Sequence, residues 1–488
     1  VIETNVVHVT DARDLSMLPD SSVHCVITSP PYYSQRQYAA GEGEIGIDAS
    51  LGEYVESLVC VFREVRRVLR RDGVCWLNIG DSYSAGGRGT SDHHRTVMGK
   101  TAQAQALGRK HTEGFDQKQL LGIPWRVALS LQDDGWYLRA DCVWNKLNSM
   151  PASVTDRVTI SHEYMFMLTK SPHYWYDYVA VLEPLKEVSI KRQMRGRGTT
   201  KYTNGDYGQD AHSLAQPKAH RGGYADMDDL LQTGELGLHP GGRNKRSVWT
   251  VATSPSCYDF CGSCSALYIG KERKALREIE TNEQGEKAMK MLPCPKCGEM
   301  SWFAHFAPYP RALIEPALLS SCPPFVCAAC ATPYTRTTEK QSRRYHESPN
   351  GANDGANNRE PYKDNNPHRA RLATKHDQAT GRTSGSYADP LHEKAVREIT
   401  TMGWRKACEC DCADTLPGIV LDPFMGSGTT AMTAELHTRR WIGVDLNPHC
   451  RKLTMARISR LNDDPQFRAK TERVSPPPKV SKEQMSLF

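Results

Sequence analysis

The chain has 488 residues, of which 39% are hydrophobic and 24% charged, and its 62 Lys plus Arg against 56 Asp plus Glu leave a formal net charge of +6. That length calls for a large core with insertions or a second module, and so mild a charge does not by itself mark a nucleic-acid binder. No apolar run is long enough to cross a bilayer, and residues 1–11 lack the basic, apolar and small-residue zones of a signal peptide, so a cytoplasmic protein without membrane contact is expected.

In chain order, β-branched runs at 6–9 and 23–27 read as strands, the second leading straight into Ser29-Pro30-Pro31-Tyr32. Val55, Leu58, Val59, Phe62, Val65, Val68 and Leu69 recur at helical spacing, with Gly73 as the expected stop. A buried strand follows at 74–79 and closes on Gly80-Asp81. Residues 82–114 are polar and Gly-rich, a helix is expected at 123–131, and strands at 137–144 and 164–169. Periodicity fades at 185–244, where Arg192, Arg195, Arg197 and Lys201 and then Arg243, Lys245 and Arg246 cluster, either as solvated loops or as a phosphate-tracking surface. It fades again at 339–390, which reads as a disordered or extended insertion. A strand at 418–421, a helix at 429–436 and a strand at 441–444 form a second αβ unit, and 474–488 is a Pro-rich tail. The alternation predicts an α/β fold, an open, doubly wound and mostly parallel sheet whose ligand sites lie at the carboxyl ends of the strands.

Two loops carry chemistry. Gly426, Ser427 and Gly428 stand where a strand turns into a helix, which lets backbone approach a ligand closely. Asp445 ends the next strand, where a carboxylate accepts hydrogen bonds from ribose hydroxyls of a nucleoside cofactor. Thr28-Ser29-Pro30-Pro31-Tyr32 combines two rigid prolines, a hydroxyl and an aromatic ring after a strand. Together with Asp422-Pro423-Phe424-Met425-Gly426-Ser427-Gly428-Thr429-Thr430, this pair resembles the catalytic and cofactor loops of the DNA amino-methyltransferases. The catalytic loop comes first by nearly the whole chain, as in the circularly permuted beta class.

The resemblance implies a Rossmann-like, S-adenosylmethionine-dependent methyltransferase sheet and transfer of a methyl group to N4 of cytosine or N6 of adenine in double-stranded DNA. Ser rather than Asp at the head of the catalytic loop tilts the target toward N4-cytosine. An exocyclic amine is a poor nucleophile because its lone pair is delocalised into the ring. The implied roles are that Ser29 and the Pro30 carbonyl accept its two N–H groups, that Pro30 and Pro31 fix the geometry, and that Tyr32 stacks on the flipped-out base. No cysteine lies in the loop, as C5 methylation would need. The implied cofactor set is Asp11 (or Asp14), Phe306 within 305–310, Asp422, Phe424, Gly426, Ser427, Gly428, Thr429, Thr430 and Asp445. Trp144-Asn145-Lys146 resembles a strand near the target base, with plain core as the alternative for Trp144. Asn78 and Asp81 serve either the site or a turn.

Sixteen cysteines, several in tight pairs, point to metal rather than to disulfides. Cys261-x2-Cys264 with Cys294-x2-Cys297 suits a four-thiolate structural zinc, with a helical-looking stretch between the knuckles and Cys257 as a spare ligand. A second, less regular set is Cys327 and Cys330 with Cys410 and Cys412, Cys408 lying beside them. Gln484 to Phe488 resembles the peptides with which bacterial proteins dock on the replication sliding clamp. The expected partition is a catalytic half at 1–184, a basic target-recognition region at 185–245, a Cys-rich insertion at 246–300, a cofactor-site segment at 301–326, a second Cys-rich insertion at 327–412, a cofactor-binding half at 413–465 and a tail at 466–488. Competing readings are an inactive zinc-containing DNA-binding protein and a clamp-tethered accessory protein; the host is bacterial or a phage.

Overall fold

The computed structural model describes residues 2–34, 36–37, 43–84, 105–106, 112–149, 151–152, 154–184, 242–253, 258–281, 287–303, 308–344 and 395–472. The chain divides into two units, one of residues 1–182, 244–337 and 403–488 and one of residues 183–243 and 338–402.

The first unit is built on an eight-stranded sheet. Its strands are β1 (Val6–Val9), β2 (Val23–Thr28), β3 (Leu69–Ile79), β4 (Tyr137–Lys146), β5 (His162–Thr169), β6 (Val248–Val251), β7 (Ile419–Asp422) and β8 (Arg440–Asp445), in the order β1-β8-β7-β2-β3-β5-β4-β6. Pairing is parallel from β1 through to β3 and again between β4 and β6, while β5 runs antiparallel to both its neighbours. The expected doubly wound, mostly parallel sheet is therefore present, and β5 brings its amino-terminal end to the edge where the parallel strands end.

Side-chain alternation divides the core into two layers, because successive residues of a strand point to opposite faces. Val26, Cys75, Leu77, Phe166, Leu421 and Ile442 pack on one face beneath helices α1 (Leu51–Val68) and α2 (Ile123–Asp133). Cys25, Ile27, Trp76, Met165, Val420 and Trp441 pack on the other, beneath α3 (Arg311–Ser321), α4 (Thr429–Leu436) and α5 (Pro448–Asp463). Each large side chain so buried contributes roughly 1.5–3 kcal/mol.

Helix α1 starts at Ser50, whose hydroxyl accepts the Glu53 N–H, while Glu53 accepts the Ala49 N–H. It ends at Val68, one turn before the expected stop, and passes directly into β3. Gly73 lies inside that strand for a different reason: a Cβ there would stand 2.5 Å from Leu69 Cδ1 and 2.9 Å from the His24 carbonyl oxygen. The insertion read as disordered or extended from residue 339 opens on the end of a strand, Thr335–Arg344, which pairs with Ala395–Arg405. A hydrogen-bonded partner far along the chain carries no local signal.

The stretch expected to be helical between Cys264 and Cys294 forms one short helix, Gly270–Ala275, and then a hairpin of Arg277–Thr281 with Lys287–Met291. In the second unit the described contacts include the Glu183–Arg243 ion pair at 3.0 Å. Among the described residues no helix is long and apolar enough to cross a membrane.

Candidate active site

Strands β2 and β7 are neighbours, so the loops that follow them meet although they lie 394 residues apart. The Thr28 hydroxyl donates to Asp422 Oδ1 at 2.7 Å. Asp422 is 1% exposed, and it also accepts from the Thr430 hydroxyl at 2.7 Å, the Tyr309 hydroxyl at 2.8 Å and the Phe424 N–H at 3.1 Å. Burial raises its carboxyl above the ordinary range, against the pull of these four donors. Asp422 and Thr430, expected to touch the cofactor, thus spend their side chains on joining the two loops. Tyr309, which lies in the 305–310 segment expected near the cofactor, completes the junction; its bond to Asp422 had no sequence signature, since a hydroxyl aimed at a distant carboxylate leaves none.

The catalytic loop is braced from several sides. Tyr54 of α1 donates its hydroxyl to the Pro31 carbonyl at 2.9 Å. Tyr32 donates to Glu163 Oε2 at 2.7 Å. Burial, then the Glu163 charge, push the Tyr32 phenol well above its usual range, so it stays protonated. Lys146 at the end of β4 pairs with Glu163 Oε1, and Asn78 donates to Glu163 Oε2 at 3.2 Å and to the Tyr164 carbonyl at 3.0 Å.

Glu163 was not singled out in the sequence. It is the second residue of an antiparallel strand, a position that reads as an ordinary polar end until β5 is seen to run against β3. Trp144 is core, donating to the Val251 carbonyl at 2.8 Å. Asp81 accepts the N–H groups of Ser82 and Ile123 at 2.8 and 3.0 Å, so it holds the start of α2.

On the cofactor side, Asp445 ends β8 and takes the Gly426 N–H on Oδ2 at 2.8 Å and the Asn447 N–H on Oδ1 at 2.9 Å. Each oxygen keeps acceptor capacity. Burial raises this carboxyl to about 6. The side chains of Ser427 and Thr429 are buried.

Gly428 has φ of +79°, and a Cβ on it would stand 2.6 Å from Thr454 Oγ1. Its side is thus taken up by α5, and close helix packing requires this glycine. Asp11 lies just past β1, whose Val9 is level with Asp445. Burial works against its charge, but Arg13, in contact at 2.5 Å, holds its carboxyl below the usual range. Asp14 caps a local turn through the Ser16 N–H at 2.9 Å. Phe306 and the rest of 304–307, Cys257, the basic residues at 192–201 and the peptide 484–488 lie outside the described residues.

The two loops thus stand at adjacent strand ends, with acids on either side. A family model described as DNA methylase, for N6 and N4 methyltransferases, matches residues 23–325 and 339–456. The chain belongs to that family. Its members are S-adenosylmethionine-binding DNA amino-methyltransferases of Rossmann-like fold.

Similarity to curated members is extensive. The type II methyltransferase M.SfiI of Streptomyces fimbriatus is 31% identical over 447 residues, 91% of this chain and 88% of that protein. M.SmaI of Serratia marcescens is 43% identical over 270 residues, 55% of this chain and 87% of its own length. M.Cfr9I of Citrobacter freundii reaches 50% identity over 169 residues, 35% of this chain, a match that spans 55% of that relative.

The cysteines expected to bind metal come together in two groups. The sulfurs of Cys261, Cys264, Cys294 and Cys297 lie within 4.8 Å of one another, as expected. In the second group Cys327 and Cys330 are joined by Cys408 and Cys410, not by Cys410 and Cys412. Cys412 turns away, its sulfur 3.6 Å from the Asp414 carbonyl oxygen. Cys408, Cys410 and Cys412 would share one side of an extended segment, and spacing alone did not reveal where the chain bends.

Proposed function

We propose that the chain transfers a methyl group from S-adenosylmethionine to the exocyclic N4 amine of a cytosine flipped out of duplex DNA. The observation that carries this reading is the Thr28–Asp422 hydrogen bond, which sets the Ser29-Pro30 acceptors beside the loop that would hold the methyl donor. A serine hydroxyl carries two acceptor lone pairs, so Ser29 can accept an amine N–H. Ser29 and the Pro30 carbonyl would take the two amine N–H groups and turn the nitrogen lone pair toward the methyl carbon. Positive charge grows on nitrogen as the C–N bond forms, and these fixed dipoles stabilise it without a covalent enzyme intermediate. The amine proton is released afterward.

Serine in place of aspartate favours cytosine. The test is nucleoside digestion and mass spectrometry after incubation with labelled S-adenosylmethionine and mixed-sequence DNA. N4-methylcytosine is expected, and Ser29→Ala is expected to lower the rate about 100-fold, the loss of one of two acceptors. N6-methyladenine in place of N4-methylcytosine would overturn the assigned base.

Asp445 would accept the cofactor ribose hydroxyls in its ionised form. Its raised carboxyl makes the neutral form dominant below about pH 6, so cofactor affinity should be constant above that pH and fall below it, by up to about tenfold per unit. Calorimetric titration from pH 5 to 8 checks this, and Asp445→Asn should weaken binding and flatten the profile. A flat profile for the native chain would remove Asp445 from this role. The basic segment at 185–245 is the proposed recognition region, with sequence read by side chains in a groove.

A further inference from the structure

We propose that the two cysteine groups are two separate structural zinc sites, ligated by Cys261, Cys264, Cys294 and Cys297 and by Cys327, Cys330, Cys408 and Cys410, which clamp the two Cys-rich insertions to the strands and helix that carry the cofactor loop. The sulfur spacing is the first observation. Cys261 Sγ lies 3.6 Å from Cys297 Sγ, and Cys264 Sγ 3.6 Å from Cys294 Sγ. A zinc tetrathiolate with bonds of about 2.3 Å has sulfur–sulfur edges of about 3.8 Å. A disulfide would need about 2.05 Å.

Local backbone geometry is the second observation, and it is shared by both sites. Ser265, Gly298 and Ala331 each follow the second cysteine of a Cys-x2-Cys pair, and each has positive φ, of 59°, 77° and 56°. Each donates its N–H to the carbonyl of the first cysteine at 2.8 Å. Serine and alanine in this conformation each cost about 1 kcal/mol or more. Three independent pairs nevertheless adopt one knuckle, the turn that points two sulfurs at a common centre. Backbone amides also aim at the sulfurs, those of Lys296 and Cys297 at Cys294 and those of Ala329 and Cys330 at Cys327. The fourth pair, Cys408-x-Cys410, is different, and there the Lys406 ammonium gathers the carbonyls of Cys410 and Cys412, the latter at 2.8 Å.

Both sites are fastened to elements around the cofactor loop, the first to α5 and the second to β2 and the start of β7. At the first, Tyr258 and Phe260, on the strand that ends at Cys261, pack against Cys450 and Leu453 of α5. The Arg457 guanidinium on the same helix lies over the Tyr258 ring, 5.0 Å from its centroid, and donates to the Ser427 carbonyl in the cofactor loop. At the second, the Ala331 carbonyl accepts from His24 Nε2 of β2 at 3.0 Å, while the His24 Nδ1 accepts the Ile419 N–H that begins β7 at 3.1 Å. Val326–Cys327 also pairs with Thr415–Leu416 just ahead of β7. The second site therefore ties together the chain before and after 339–402 at the root of the Asp422 junction. Four thiolates complete each tetrahedron, so neither metal has a position open to substrate.

The test is elemental analysis of tag-free full-length protein after passage over chelating resin. Two zinc ions per chain are expected. Cys294→Ser and Cys408→Ser should each retain one, whereas Cys412→Ser should retain two. Should a serine variant fail to fold, native protein grown with cobalt in place of zinc keeps the question open to measurement: thiolate-to-cobalt charge-transfer and tetrahedral ligand-field bands, at an intensity of two tetrathiolate centres, are expected. Absence of bound metal, disulfides in place of free thiols, or iron instead of zinc would overturn the proposal. Loss of one zinc in Cys412→Ser with two kept in Cys408→Ser would overturn the second ligand set.

Discussion

Replacing Asp422 by alanine is expected to lower the unfolding free energy by about 4 kcal/mol, since three buried hydroxyls and one N–H lose their acceptor at roughly 1–3 kcal/mol for each group left unsatisfied. The hydroxyls of Thr28, Thr430 and Tyr309 all converge on this carboxylate. Methylation is expected to fall more than about 1000-fold even where the variant is folded, because a misplacement of about 1 Å between catalytic and cofactor loops suffices for large losses. Asp422→Asn should cost far less in stability, as its carbonyl serves one side of the junction and the rotatable hydroxyls of Thr430 and Tyr309 can turn to accept its amide. Urea denaturation and single-turnover methylation separate the two effects. Native turnover in Asp422→Ala would show that the loops are positioned by something else.

Glu163→Ala is expected to destabilise the chain by roughly 3 kcal/mol, in the range for removing one partner of a buried ion pair, and to lower kcat about 100-fold with cofactor affinity unchanged. The pair is mostly shielded, the Lys146 and Glu163 side chains being 21% and 13% exposed. The Glu163 carboxylate accepts the Tyr32 hydroxyl of the catalytic loop at 2.7 Å, so its loss releases a side chain of the loop that carries the proposed acceptors Ser29 and Pro30. A double replacement, Lys146→Met with Glu163→Leu, restores much of the stability by removing both charges together. It should not restore kcat. Recovery of both would assign the pair to folding alone, and a rise in cofactor Kd matching the loss of kcat would place it on the cofactor side.

Several expectations failed for one physical reason. Gly73 read as a helix stop because glycine commonly follows a helix, yet it is required by the His24 backbone and the Leu69 side chain pressing on it inside a strand. Within the loop recognised as cofactor-binding, two further roles had no local signature: Asp422 holds the catalytic strand and Gly428 admits Thr454. Cys410 and Cys412 were expected to complete the second set with Cys408 beside them, whereas the path of the chain brings Cys408 and Cys410 to the other two sulfurs.

The sequence by itself determined the elements that depend on near neighbours. Short continuous apolar runs specify β2 and β7, helical spacing specifies α1, and the Ser50–Glu53 capping pair sets where α1 begins. It also determined the two loop motifs and the three Cys-x2-Cys knuckles, whose chemistry lies within a few consecutive residues. Tertiary structure alone decided what joins them. The adjacency of β2 and β7 across 394 residues, the reversed direction of β5 that carries Glu163 to the catalytic loop, Tyr309 on Asp422 and Cys408 among the ligands all follow from strand order and chain path. Such contacts are selected by the packing of the whole sheet, so no local pattern of residue types encodes them.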